Sequence, residues 1–406
     1  MIKTKISYLL IAAFWSVSMG IAADWNQFRG PQRDGRSSET GLLKQWPEAG
    51  LPELWHFGEC GQSYASVAVV DNIVYTTGMI DNIGFLFAID DKGKLKWKKE
   101  YGPAWTGDYP GERSTPTIDG DRVYVISGLG RLVCFDRSTG EQIWKVGTLE
   151  KFEGKNVTWG ISESVLVDGE MVICTPGGED ASIIAVNKMT GKTIWMTKGL
   201  SNVSAYCSPI AVQQGGRRFL LTLVHKLVVA VDITTGKVLW TIPHDPDYGI
   251  SAVTPTVSDG IVYYTGQGTG GFAIRLSDDG RSYTELWKHP ALDTKHGGIV
   301  LHNGDLYGSD SKKGWVCISL KEGKLKYHGA LLGAKGATIY ADGMLYCYDE
   351  EGTVALVSAA DRDMKRISAF KITRGTKEHW AHPAISNARL YICHGESLMA
   401  YDIKRP

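Results

Sequence analysis

No two cysteines are adjacent in this chain, none stands in a Cys-x-x-Cys spacing, and none begins the Cys-x-x-Cys-His of a c-type haem attachment. A haem relay and a cysteine-built zinc site are thereby excluded. Charge of one sign is missing too. The 44 Lys+Arg stand against 44 Asp+Glu, which supplies no electrostatic drive toward nucleic acid or an anionic membrane surface. After the first two dozen residues no long apolar run occurs, so no later segment reads as a bilayer span. With 22% charged and 43% hydrophobic residues, the composition of a disordered chain is excluded as well. What the chain does have is glycine and aromatics: 48 Gly, 13 Trp and 18 Tyr in 406 residues, the makeup of a turn-rich β protein.

Residues 1–23 read as an export signal. Lys3 and Lys5 precede a mostly apolar stretch, Ile6 to Ile21, and small residues follow at Gly20, Ala22 and Ala23, so cleavage is expected after Ala22 or Ala23. The nearest cysteine is Cys60, too far away for lipidation at the cleavage site. The expectation is a periplasmic or secreted protein with no stable membrane insertion once the signal is removed. Seven cysteines cannot all pair within one chain. Cys134 and Cys317 occupy the same place in two repeats, and Cys174, Cys347 and Cys393 fall in or at the end of apolar strands; the expected role is that of a small buried hydrophobe.

Internal repetition dominates the rest. A strand ending in Asp or Asn, a Thr-Gly turn and a strand carrying Trp recur as Asp136, Thr139-Gly140 and Trp144. The pattern returns as Asn187, Thr190-Gly191 and Trp195, and again as Asp232, Thr235-Gly236 and Trp240. A degraded form runs from Gly280 to Trp287 and another from Gly323 to Tyr327. Upstream of each lies a hairpin with a Tyr-bearing strand, as at Tyr75, Tyr124, Tyr307, Tyr346 and Tyr391. Repeats of about 40–50 residues built from four short strands are propeller blades. Eight inner hairpins are present, but the last blade stops short of its outer strand. Pro52 to Phe57, with its own Trp55, is the candidate to complete it and close the ring. The fold class is therefore all-β, an eight-bladed β-propeller of four-stranded antiparallel blades closed by an N-terminal strand. Residues 51–406 form the propeller and residues 24–50 an extension packed on it. Asp and Gly make the turns, and the strand-end Trp packs between neighbouring blades.

These turns resemble the tryptophan-docking repeats of the pyrroloquinoline-quinone-like (PQQ-like) propellers. The opening Asp24-Trp25-Asn26-Gln27-Phe28-Arg29-Gly30-Pro31 and the later Thr40-Gly41-Leu42-Leu43 are similar to the start of many exported members of that superfamily. The superfamily includes PQQ-dependent alcohol dehydrogenases and the propeller lipoprotein that helps assemble outer-membrane barrels. This chain lacks the adjacent cysteine pair common in the former and the lipidated cysteine of the latter. Fold does not select among such functions.

Counting back from the inner-strand Tyr places two rings of residues at one mouth of the channel. One holds Ser63, Glu112, Ile161, Ala205, Ser251, His296, Lys335 and His379. The next holds Tyr64, Arg113, Ser162, Tyr206, Ala252, Gly297, Gly336 and Trp380. Trp159, Glu163 and His382 fall within a few residues of the same mouth, and His225 sits on a turn expected to face it. Convergent polar groups with aromatic walls make this the ligand-site candidate. Arg113 and Lys335 suit carboxylates or phosphates. Tyr64, Tyr206 and Trp380 suit a planar or sugar ring. His379 and His382 are the candidates for general acid–base work. No metal site is assigned. Gly266 to Gly271 resembles a nucleotide loop, but it lies in a hairpin with no helix behind it, so no helix dipole is available for phosphate.

Three functions compete. The first is a binding or scaffold module whose partner is a small molecule, a glycan or a periplasmic protein. The second, implied by the resemblance, is a quinoprotein dehydrogenase with PQQ and Ca²⁺ in the mouth. Glu163 would then ligate Ca²⁺, with Glu112 the other carboxylate within reach, Arg113 and Lys335 would hold the cofactor carboxylates, and Trp380 would stack. The third is a glycan-active protein using the His379–His382 cluster.

Overall fold

Local chemistry builds each outer hairpin. Asp136 accepts hydrogen bonds at Oδ1 from the backbone N–H of Ser138 and Thr139 and from both hydroxyls, at 2.7–3.0 Å. Asn187 and Asp232 repeat this in the next two blades. The Gly that follows has positive φ and leaves room for the Trp of the preceding blade. A Cβ on Gly236 (φ +74°) would lie 2.6 Å from Trp195 Cε3. The indole N–H groups complete the link: Trp144 donates to Lys188 O, Trp195 to Ile233 O, Trp240 to Gly280 O and Trp287 to Leu320 O, at 2.9–3.1 Å. In these four blades the indole is thus pinned to the following blade by a satisfied donor.

The computed structural model describes residues 24–312, 314–359 and 363–406; the expected export signal lies outside them. The chain is an eight-bladed propeller of antiparallel sheets. Blade 1 runs from Ala68 to Pro103, blade 2 from Thr117 to Gly147, blade 3 from Leu166 to Met196 and blade 4 from Ile210 to Pro243. Blade 5 spans Thr256 to His289, blade 6 Val300 to Gly329 and blade 7 Gly336 to Lys371. Blade 8 takes three strands from Ala384–Ser386, Arg389–His394 and Ser397–Asp402. Its outer strand is Glu53–Phe57, in antiparallel register with Trp55 opposite Ala400. Trp55 packs on Gly93 of blade 1 as the repeat Trp residues pack on theirs, so the first strand closes the ring by the same contact that joins its neighbours. The inner-strand tyrosines Tyr124, Tyr307 and Tyr346 are buried between blades. All seven cysteines are buried. Among the described residues no helix is long and apolar enough to cross a membrane.

The channel is occupied by the chain itself. Trp25 pairs with Val69 of blade 1 through two backbone hydrogen bonds, and Asn26 accepts from Ile118 N of blade 2. Arg36–Ser37 adds a parallel fifth strand to blade 7. Two buried guanidiniums bridge the rest. Arg29 donates to Ile299 O at the entry to blade 6 and to Thr338 O in blade 7. Arg33 donates to Ser164 O and Val165 O at blade 3 and to Pro209 O at blade 4. A propeller's innermost strands leave backbone groups unpaired toward the axis. Residues 25–37 satisfy many of them and plug the channel. Gly298 makes way for the plug, since a Cβ there would stand 1.3 Å from Arg29 Nη1.

Candidate ligand site at the channel mouth

Above the plug lies a blind pocket of about 280 Å³, floored by Phe28. Its lower wall is a belt of hydroxyls at equivalent places in successive blades. Ser66 N donates to Thr115 Oγ1 (3.1 Å), Thr115 N to Ser164 Oγ (2.9 Å), and Ser164 N to Ser208 Oγ (2.9 Å). Ser66 Oγ donates to His382 O, joining blade 1 to blade 8. The belt ties blade to blade around the pocket, and Ser66, Thr115 and Ser208 line it.

The upper wall is aromatic. Trp380 lies 5.2 Å from Tyr64, 4.9 Å from Tyr109 and 5.3 Å from His296, and Trp159 lies 6.0 Å from Tyr206. Tyr109, Tyr206 and Tyr248 all hold positive φ, between 55° and 72°, a region that bulky side chains rarely adopt. Carboxylates behind the wall hold it in place. Glu378 accepts from Tyr64 OH (3.0 Å), and Glu350 Oε1 accepts from Trp380 Nε1 (3.2 Å) and faces His296 Nε2 at 3.1 Å. Burial depresses the His296 pKa, opposed by Glu350. Burial works against ionisation of Glu350 too, but His296, Lys335 and Lys295 outweigh it and hold the carboxylate below its usual range. In the neutral ring Nε2–H is donated to Glu350, which leaves Nδ1 as the acceptor. Two cations line the space. Arg113 is held by Gly111 O (2.6 Å) and Tyr109 O with its guanidinium 5.3 Å from the Tyr64 ring, and Lys295 Nζ lies 5.5 Å from Trp380. Among the described residues no carboxylate lines the pocket.

Of the residues expected at the mouth, Tyr64, Arg113, Trp159, Tyr206, His296, Trp380 and His382 line this pocket. Glu112, Glu163, His225, Lys335 and His379 do not. Successive side chains of an extended chain point to opposite faces, so in most blades only one of the two adjacent rings faces the channel; the blade-6 position breaks this parity, since His296 of the other ring lines the pocket. The facing ring is that of Tyr64, Arg113, Ser162, Tyr206, Ala252 and Trp380, with Ser66, Thr115, Ser208 and His382 two residues on. The other ring turns into the blades: Ser63, Glu112, Ile161, Ala205 and Ser251 are buried.

Glu112 lies beside Tyr101, without a well-directed hydrogen bond to it, and burial raises its pKa to about 7. Glu163 points inward, its oxygens taken by Thr175 N (2.8 Å) and Thr175 Oγ1 (2.9 Å), and burial again raises its pKa to about 7. Lys335 stands 3.9 Å from Glu350 behind the wall. His379 turns to Tyr348 OH (2.5 Å) and stacks on His394 at 3.6 Å. His225 packs under Gly249, in the loop that carries Tyr248 and Ile250 to the pocket. His382 does reach the pocket, but its Nε2 donates to His296 O (2.8 Å) and its Nδ1 accepts from Arg29 (3.3 Å). Burial and then Arg29 lower its pKa to about 3. Both nitrogens are committed, so it is a poor acid or base.

Sequence reasoning missed Phe28, Tyr109, Tyr248, Gln267 and Lys295. The hydroxyl belt was within reach, nine residues before the inner-strand Tyr in blades 1 and 2. Tyr109 and Tyr248 lie on irregular inter-blade loops that the repeat does not register.

A family model described as outer membrane protein assembly factor BamB matches residues 82–326. The chain belongs to that family. Its BamB-type repeats are similar to those of BamB from Bordetella pertussis, 24% identical over 228 residues, 54% of this chain and 53% of that protein. They are also similar to the quinoprotein ethanol dehydrogenase of Pseudomonas aeruginosa, 26% identical over 159 residues, 35% of this chain and 25% of the enzyme. The chain thus spans about half and a quarter of these relatives' lengths. Among solved structures, BamB from Moraxella catarrhalis superposes with a TM-score of 0.64 at 17% identity, covering 88% of this chain and 99% of that one. The quinohemoprotein alcohol dehydrogenase of Comamonas testosteroni does so at 0.69 and 15%, covering 94% and 81%. At such identities the likeness is one of fold.

Proposed function

We propose that the chain is an exported binding module of the BamB family whose recognition site is the blind mouth pocket. The observation that carries this reading is the lining: aromatic walls and two cations with no carboxylate. Calcium takes six to eight oxygen ligands, typically with carboxylates among them, and no group of three or more His, Cys, Asp or Glu among the described residues suits a metal ion. Of the two expected carboxylates, Glu163 is consumed by Thr175 and Glu112 is buried outside the lining. Calcium-bound PQQ therefore does not fit the residues present, although Arg113 and Trp380 alone would suit a planar acid. The paired carboxylates of glycoside hydrolysis have no source in the lining either. The family likeness supports a periplasmic setting and a protein partner at the rim, where Tyr248 is 79% exposed.

The test is a titration of the purified protein with PQQ, with and without Ca²⁺, followed by tryptophan fluorescence and thermal stability. The expected result is no Ca²⁺-dependent saturation. Saturation that requires Ca²⁺ and is lost in Arg113→Ala would overturn the binding-module reading in favour of a dehydrogenase.

A further inference from the structure

The pocket holds groups whose chemistry is unmet by the protein, and together they describe one kind of ligand. Lys295 lies over Trp380, and no carboxylate or carbonyl among the described residues holds its ammonium. Burial, then repulsion from Lys335, lower its pKa, with Glu350 opposing from behind the wall. An anion is the missing partner. Gln267 lines the pocket; its Oε1 is buried without a hydrogen-bond donor, and an orphan acceptor of this kind costs about 1–3 kcal/mol until a donor arrives. His296 offers a second acceptor at Nδ1, because Glu350 takes its Nε2–H. The aromatic walls supply apolar faces. At about 280 Å³, the pocket sits at the small end of the roughly 300–1,000 Å³ usual for ligand sites, which suits a single ring.

We propose that the mouth pocket binds an acidic sugar, a uronate unit. Its carboxylate pairs with Lys295, its hydroxyls donate to Gln267 Oε1 and His296 Nδ1, and its C–H face rests on the aromatic wall. A neutral sugar leaves Lys295 unpaired, and an aromatic acid leaves Gln267 and His296 without donors. The inference rests on the binding reading of the mouth and narrows it to a ligand class.

Calorimetric titration of the full chain with glucuronate and galacturonate, beside glucose, galactose and benzoate, tests it. At least tenfold tighter binding of a uronate than of its neutral parent is expected, with that preference abolished by Lys295→Met and unfolding unchanged. Equal binding of the neutral sugar, stronger binding of benzoate, or no binding of any uronate overturns the ligand class. In the first two cases, loss of the signal in Trp159→Ala shows that the mouth reading survives. A uronate signal unmoved by both Lys295→Met and Trp159→Ala places the ligand elsewhere and overturns the mouth reading itself.

Discussion

Tryptophan and tyrosine serve two regions of this molecule in opposite ways. At the outer seams, Trp144, Trp195 and Trp240 are less than a tenth exposed, and each donates its indole N–H to a backbone carbonyl of the following blade. At the mouth, Trp380 and Tyr64 donate to carboxylates that stand outside the repeat, Glu350 and Glu378, and Tyr109 is 41% exposed. The seam aromatics meet the same glycine turn in several blades; at the mouth Tyr64, Tyr206 and Trp380 share one position of the repeat, whereas Tyr109 and Tyr248 lie on inter-blade loops outside it. Residue type does not separate the two regions here; for the residues just named, the partner of the polar hydrogen does.

The comparison breaks most easily at a seam. Trp195→Ala removes a buried indole, for which about 3–5 kcal/mol is expected, seen as a lower urea midpoint. An unchanged midpoint would remove the distinction between the regions. Next comes the plug. Arg33→Met strips the donors from Ser164 O, Val165 O and Pro209 O, with an expected loss of about 2–4 kcal/mol. The pocket floor should then admit solvent, read as faster hydrogen exchange at residues 25–37.

A third, pH-dependent effect lies at Glu112. The unfolded carboxyl ionises near 4.5 and the folded one near 7. Between those values the unfolded chain releases its proton while the folded chain keeps it, so stability falls as pH rises through that window. Glu112→Gln should therefore be more stable than the parent by on the order of 2 kcal/mol at pH 8, with the gain vanishing near pH 4.5. A pH-independent difference would show that Glu112 is not held protonated. His382 acts in the reverse sense: with its folded pKa near 3 against 6.5, its contribution is present above 6.5 and is lost as pH falls toward 3. The smallest stability change is expected for Lys295→Met, within about 0.5 kcal/mol, although its effect on ligand affinity is the largest proposed.

The periodic half of the molecule was legible in sequence because it is periodic. The Asp, Gly and Trp of each turn contact one another in consecutive blades, so one decoded copy decodes the rest. Trp55 was placed in blade 8 by the same logic, and it packs on Gly93 as Trp195 packs on Gly236. The mouth was half legible. The Tyr-anchored count found the right height on each blade but took adjacent rings as facing together. Extended-chain parity then sent Glu112 into the protein and left Arg113 at the pocket. Tyr109 and Tyr248 could not be counted from the repeat, since their loops differ in length and path, and Lys295 stands one residue before the counted His296.

The sequence by itself determined the blade number, the strand order and the closure, because these follow from local turn chemistry and contacts between equivalent residues. Tertiary structure alone decided that residues 25–37 plug the channel, that His379 turns away while His296 faces inward, and that the mouth collects cations without a carboxylate. Those outcomes depend on single contacts between residues as far apart in the chain as Arg29 and His382, set by the packing around the axis and repeated nowhere else in the ring.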